Sequence, residues 1–139
     1  MGWLIDTNVL SELRKGTRTD PAVSTWFDGT SDTDLYTSVL VLGELRRGIE
    51  SIRRRDEVAA AALELWLTRT MEVFADRIIP IDGAITDRWG RLNVLDPVPT
   101  IDGLLAATAL ERNLVLVTRN TRDVESTGVR FLNPFEPNR

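Results

Sequence analysis

The chain of 139 residues contains no histidine and no cysteine, and its only lysine is Lys15. Without histidine there is no imidazole general base, no imidazole-ligated metal and no Ser-His-Asp triad. Without cysteine there is no disulfide framework, no thiol nucleophile and no zinc site of the usual kind. Chemistry is left to carboxylates, hydroxyls, amides, arginine, Lys15, or a hard cation held by oxygen ligands. Long apolar runs are also missing. A stretch such as Val39 to Leu42 is far short of a membrane span. The first residues, Met1 to Asp6, carry no basic region and do not read as a signal peptide. The expected location is the cytoplasm, with no membrane partner. Neither a glycine-rich phosphate loop nor a dinucleotide fingerprint occurs.

What is present is a balanced globular composition: 42% hydrophobic and 27% charged residues. A single domain over residues 1–139 is expected, burying roughly two-thirds of its unfolded surface. Twenty-one acidic residues against 17 basic ones give a net charge of −4, which at first sight argues against a nucleic-acid partner. Yet every basic residue except Lys15 is arginine, the side chain best suited to gripping phosphates.

The hydrophobic pattern predicts short strands alternating with helices. Trp3 to Ile5 reads as a buried first strand, followed by a helix capped by Thr7 or Asn8 that runs to Lys15 and stops at Gly16. Pro21 opens a helix that stops at Gly29. Leu35 to Ser38 is a strand, Val39 to about Ile52 a helix, and Asp56 caps a long helix to about Ala75. Ile78 to Ile81 is a strand and Gly83 to Leu95 a helix. A loop follows at Pro97 and Pro99, and Thr100 caps a helix over Ile101 to Arg112. Leu114 to Val117 is apolar throughout, as a strand covered on both faces would be. Val129 to Leu132 is a last short strand, and Pro134 and Pro137 mark a loose tail. This alternation implies a three-layer α/β/α sandwich with a short parallel central sheet.

Four acids lie where solvated charges do not belong. Asp6 follows directly on the first strand. Glu44 sits in the apolar stretch Val39 to Leu45. Asp102 is in the first turn of an almost wholly apolar helix, and Asp123 lies just past the strand ending at Val117. In an open parallel sheet, ligands gather at the carboxyl ends of the strands near a topological switch point. Taken singly, each acid has an ordinary reading: Asp6 and Asp102 as helix-terminus residues, Glu44 as a partner of Arg47, Asp123 as a turn residue. Together, four converging carboxylates with no histidine would repel one another unless one protonated or a cation intervened. All-oxygen ligation points to Mg²⁺, or to Mn²⁺. Thr118 and Asn120 add a hydroxyl and an amide to the cluster, and Thr7 and Asn8 flank Asp6. Setting the four acids aside leaves 17, equal to the number of basic residues.

The segments Ile5 to Leu13, Ser38 to Gly48, Asp102 to Ala109 and Val117 to Asp123 resemble the PIN-domain family, and within it the VapC-type toxins of bacterial toxin–antitoxin pairs. The first and last segments look most like its FitB-like branch. The resemblance implies a metal-dependent endoribonuclease that leaves a 5′-phosphate and a 3′-hydroxyl. It implies RNA as substrate, inhibition by a cognate antitoxin, and a homodimer that forms a heterotetramer or larger assembly with it. Asp6, Glu44 and Asp102 carry over as metal-binding catalytic acids. Either Asp123 or Asn120, backed by Thr118, fills the fourth position. One Mg²⁺, or two about 4 Å apart, would bind the scissile phosphate and lower the pKa of a bound water.

Arg46 and Arg47 beside Glu44, and Arg119 and Arg122 beside Asp123, are candidate substrate contacts. Arg53 to Arg55 read more readily as a solvated helix end. Two other acid-based folds do not match. A haloacid-dehalogenase-type phosphatase needs a second aspartate where Asn8 stands, and a receiver domain needs a lysine after a late strand. The alternative function is a catalytically silent PIN-like module that binds RNA or a protein.

Overall fold

A computed structural model describes residues 2–92 and 94–136. Five short parallel strands form the centre: β1 (Gly2–Ile5), β2 (Leu35–Ser38), β3 (Ile78–Ile79), β4 (Leu114–Val117) and β5 (Phe131–Leu132). Their order across the sheet is β3-β2-β1-β4-β5. β1 pairs with β2 through Trp3 to Leu35 and with β4 through Gly2 to Leu114 and Ile5 to Val117. The chain therefore builds outward from β1 in one direction through β3, then crosses back to lay β4 on the other side of β1. The switch point lies between β1 and β4, at their carboxyl ends.

The described helices are α1 (Thr7–Leu13), α2 (Pro21–Asp28), α3 (Val39–Arg53), α4 (Glu57–Phe74), α5 (Gly83–Arg91), α6 (Thr100–Arg112) and α7 (Thr121–Val124). They flank the sheet in the expected three-layer α/β/α arrangement. Their starts follow from local chemistry. Side chains of Asp6, Asp20, Ser38, Asp56 and Asp82 each accept a hydrogen bond from a free N–H of the first turn they precede. Pro21 supplies the preset φ at the first position of α2.

The centre of the core is β1 and β4 with α6. Leu4, Ile5 and Val117 are fully buried, as are Leu105, Ala106, Ala107 and Ala109. The small residues of α6 bring it close to β4 on one side and α5 on the other. Trp3 and Trp26 meet edge to face at 5.6 Å.

Several boundaries differ from the sequence pattern, each for a physical reason. Asp6, not Thr7 or Asn8, caps α1, which stops at Leu13. β3 holds only Ile78 and Ile79, because Pro80 has no N–H to continue the ladder. α5 ends at Arg91, and Leu92 is already extended. Val94 and Leu95, which the pattern placed on that helix, are exposed loop residues. Thr100 is the first residue of α6 rather than its cap, with Pro99 before it. β5 is confined to Phe131 and Leu132. Asp123 lies on the short helix α7, not in a loop. The tail is packed at its start: Asn133 and Pro134 are buried. Pro137 lies outside the described residues.

Candidate active site

Asp6 leaves β1 at the switch point and is 3% exposed. Its oxygens have distinct duties. Oδ1 accepts from the Thr7 N–H at 2.7 Å and caps α1. Oδ2 accepts from the Thr118 hydroxyl at 2.7 Å and from the Asn8 amide at 3.3 Å. The cap and the site are thus one feature, and Oδ1 keeps a lone pair for a ligand. Burial pushes the Asp6 carboxyl above its ordinary value. Thr118 and Thr7 oppose this by stabilising the anion, and the nearby charge of Glu44 reinforces it.

The β4–α7 turn is strapped to this point. Thr118 is 1% exposed, and its hydroxyl accepts from the Asn120 N–H at 3.0 Å while donating to Asp6. The Asn8 Oδ1 accepts from the Arg119 N–H at 3.1 Å. Asn8 therefore binds both turns at once. The Arg119 guanidinium lies 4.0 Å above the Phe135 ring.

Asp102 arrives on the first turn of α6. Its carboxyl is pushed up to about 6, first by burial, then by the charges of Asp6 and Asp123 and, more weakly, Glu44. The side chain of Asn120 hydrogen-bonds Asp102 and opposes that rise. Asp102 also has a glycine behind it. A Cβ on Gly103 would meet Trp89 Nε1 at 3.1 Å and Val98 at 3.0 Å, so glycine lets the chain approach the α5 tryptophan more closely than a larger residue would. Glu44 projects from α3, where its Oε1 accepts from the Thr7 hydroxyl at 2.5 Å.

Asp6, Thr7, Asn8, Glu44, Asp102 and Asn120 line one open cleft of about 480 Å³, together with Pro99, Thr100 and Ile101. Three of the expected acids thus share a cleft, and Asn120 lies on its wall while Asp123 does not. Asp123 is half-buried on α7 and outside that lining, yet close enough for its charge to act on Asp102. The sequence pattern did not single out Pro99 and Ile101 as cleft walls. Their only signal was their position beside Asp102. Among the described residues, no three Asp or Glu side chains form a ready-made ion cage. The donor set is nevertheless all oxygen, and Asp6 and Asp102, raised first by burial and further by neighbouring carboxylates, are groups whose ionised form a hard cation would favour.

The arginines separate. Arg46 is tied to Glu50 at 3.1 Å and to Glu64 of α4 at 2.9 Å. Arg53 pairs with Glu50, Glu57 and Glu64. Arg47 borders a second cleft that adjoins the acids. Arg122 is exposed on α7.

A family model for the PIN domain matches residues 3–128. The VapC ribonuclease Y4jK of Sinorhizobium fredii is 30% identical over 96% of this chain and 98% of its own length. The toxin FitB of Neisseria gonorrhoeae is 28% identical over 95% of this chain and 97% of its own. Among solved structures, FitAcB from Neisseria gonorrhoeae superposes with a TM-score of 0.88 at 27% identity, covering 96% of this chain and 99% of that one. VapBC-1 from nontypeable Haemophilus influenzae shares the fold, with a TM-score of 0.71 at 21% identity over 98% of this chain and 100% of that one.

Proposed function

The chain belongs to the PIN domain family, and from that premise we propose that it is the toxin ribonuclease of a toxin–antitoxin pair. It hydrolyses RNA phosphodiester bonds with the aid of Mg²⁺ and is silenced by a cognate antitoxin. The observation that carries this reading is the meeting of Asp6, Glu44 and Asp102 in one cleft at the switch point of the sheet. The names of its relatives, a ribonuclease and a toxin, point the same way.

Asp6, Asp102 and Glu44 would hold the cation, with Asn120 on the wall and Asp123 adding charge from outside the lining. Mn²⁺ has the same ligand preference and could replace Mg²⁺. Bound there, a divalent ion supplies Lewis acidity and an acidified water at neutral pH. The protein's own part is positional. Thr118, Asn8 and the Thr7 N–H fix both oxygens of Asp6, so it cannot rotate when the ligand enters. Asn120 holds Asp102, and the Thr7 hydroxyl holds Glu44. The open cleft admits an extended strand, and phosphate approaches charge that is balanced only when the site is loaded.

An assay on total RNA with mapped ends tests the reading. Mg²⁺-dependent internal cleavage leaving 5′-phosphates is expected from the parent protein, with none from Asp6→Asn. Asparagine keeps the capping oxygen, so the variant should retain its melting profile within a few degrees. Cleavage of equal strength by a folded Asp6→Asn protein would sink the assignment. Expression from the native operon should co-purify a small antitoxin in a complex that cleaves no RNA, and the absence of any small partner encoded next to this gene would count against the pairing.

A further inference from the structure

Several arginines of the chain are already engaged. Arg46, Arg53, Arg88, Arg91 and Arg112 each pair with a carboxylate of the protein itself. Arg119 is placed differently. It stands just past Val117, which pairs with Leu132 in the β4–β5 ladder, and the Thr118 N–H donates to the Leu132 carbonyl at 3.0 Å. That register brings the chain after β5 alongside Arg119. There the buried Asn133 shapes a tight turn. Its Oδ1 accepts from the Phe135 N–H at 3.0 Å, and its amide donates to Glu136 at 3.3 Å. The turn presents the half-buried Phe135 ring to the Arg119 guanidinium, 4.0 Å from the ring centre.

Stacking on a ring occupies the face of a guanidinium and leaves its edge alone. All five N–H donors lie in the plane of the group. Arg119 is exposed, and among the described residues no carboxylate pairs with it. The hydrogen bond it donates comes from its backbone. Its charge acts only weakly on Glu12, whose oxygens are already taken: Oε1 by Lys15 at 3.0 Å and Oε2 by the Asp20 N–H at 2.9 Å. Arg119 is thus a cation that is held in place and not neutralised. It also stands at the margin of the acids. Its N–H donates to Asn8 Oδ1 at 3.1 Å and the Asn8 amide donates to Asp6 at 3.3 Å, so one carboxamide separates the Arg119 backbone from Asp6. The next residue, Asn120, lines the acid cleft.

We propose that Arg119 binds a phosphate of the RNA strand flanking the scissile one, and that Phe135 is the positioning residue that holds the guanidinium ready for it. The inference rests on the ribonuclease reading and extends it to how the substrate is gripped on the Asn8 side of the cleft. Two features favour a phosphate as occupant. A planar fork held by its face alone offers its donors in the geometry that two phosphate oxygens accept. A fixed cation beside converging carboxylates also offsets the repulsion that a polyanion meets there. Being free is not enough: Arg69 on α4 is equally exposed and unpaired, but no ring or carboxylate holds its guanidinium among the described residues.

The test uses the full chain carrying Asp6→Asn, so that RNA binds without being cut, with fluorescence anisotropy of a labelled single-stranded RNA in Mg²⁺. Arg119→Ala should raise Kd about five-fold. It should also reduce the slope of log K against log salt by about 0.7. Phe135→Leu should raise Kd about three-fold with the slope unchanged, because the charge stays and only its placement is lost. Phe135→Tyr keeps the ring and should bind as the parent does. Arg119→Lys tests the stack without touching the tail: the slope should hold while Kd rises. Arg69→Ala should change neither quantity. In the cleaving parent background, Arg119→Ala and Phe135→Leu should each raise KM more than they lower kcat. Unchanged Kd and slope in Arg119→Ala, while the parent still cleaves RNA, would overturn the contact and leave the ribonuclease reading standing. A lowered melting temperature beside that result would reduce the pair to a clasp on the tail. Parent-like Kd in both Phe135→Leu and Arg119→Lys would overturn the positioning role of the ring. Equal losses in Arg69→Ala would also overturn the proposal, because general charge would then explain them. So would failure of Arg119→Ala to capture the antitoxin with its RNA affinity intact, since the arginine would then serve the protein partner. A parent that cleaves no RNA would instead remove the reading on which the contact rests.

Discussion

Asn8 is the residue whose role is least visible from its neighbours in sequence. Its amide donates to Asp6 and its carbonyl accepts from the Arg119 N–H, across 111 residues of chain. Asn8→Ala removes both bonds, leaving the β4–α7 turn tied to β1 chiefly through Thr118 and the Asp6 N–H bond to Val117. Asn8→Asp keeps an acceptor for Arg119 but replaces the donor to Asp6 with a repelling oxygen. Groups that orient metal-binding carboxylates typically cost 10–100-fold in activity or metal affinity when lost. Both variants should therefore cleave RNA about 10–100-fold more slowly and need more Mg²⁺ for half-maximal rate, while circular dichroism stays that of the parent. A parent-like Mg²⁺ requirement in both would show that Asn8 only ties the turns. At this scale the sequence was informative about type more than geometry. Asp6, Glu44 and Asp102 stood out because a carboxylate in an apolar run needs a reason. Arg46 and Arg47 could not be told apart, because what separates them is α4, and Glu64 lies 18 residues beyond Arg46.

Elements explain why Asp102 is presented where it is. α6 is buried almost all round and begins directly after Pro99, so its first turn emerges at the cleft. Gly103 sets how closely that turn meets α5. Adding a methyl group there pushes Trp89 and Val98 away by a few tenths of an ångström, in contacts of 3.0–3.2 Å. Gly103→Ala should destabilise the protein by about 1–3 kcal/mol. It should also change Trp89 emission, and reduce cleavage because Asp102 rides on the displaced turn. Thermal melting and fluorescence check this together, and an unshifted melt would show that the turn yields without cost. Strands and long helices were legible because their apolar spacing is regular and their caps are aspartate and serine. Ends were less so. Nothing apolar distinguishes Leu92, where α5 stops, from the Val94 and Leu95 that follow, since both remain hydrophobic while pointing into solvent. The helix carrying Asp123 has four residues, too few for periodicity to register.

For the whole molecule, strand alternation was enough to imply a parallel sheet, but not the order β3-β2-β1-β4-β5. Strand order depends on which edge each crossover returns to, and local sequence does not encode that. The order matters because it gathers and buries acids from distant parts of the chain, and the cost of that burial, with their mutual repulsion added, becomes a property of global stability. Asp102 has its folded carboxyl at about 6 against an ordinary value of 3.8, and Asp6 is shifted the same way. In the metal-free protein the folded state therefore binds these protons more tightly than the unfolded state. The stabilisation is complete below pH 4 and is lost as the pH rises through about 6. Metal-free protein should melt at a higher temperature at pH 5 than at pH 7. The carboxyls of Glu12, Glu50, Glu64 and Asp82, shifted downward from ordinary values below 5, act mainly at more acidic pH and do not reverse the trend in this window. Mg²⁺ binds the ionised acids, so saturating Mg²⁺ should stabilise the protein at pH 7, by about 2.7 kcal/mol at 100 times its Kd, and far less at pH 5. The two pH dependences then have opposite sign, and Asp102→Asn should flatten both. A metal-free melting temperature that is constant or rises from pH 5 to 7, unchanged by Asp102→Asn, would mean that the carboxylates do not share the strain that the cleft geometry assigns to them.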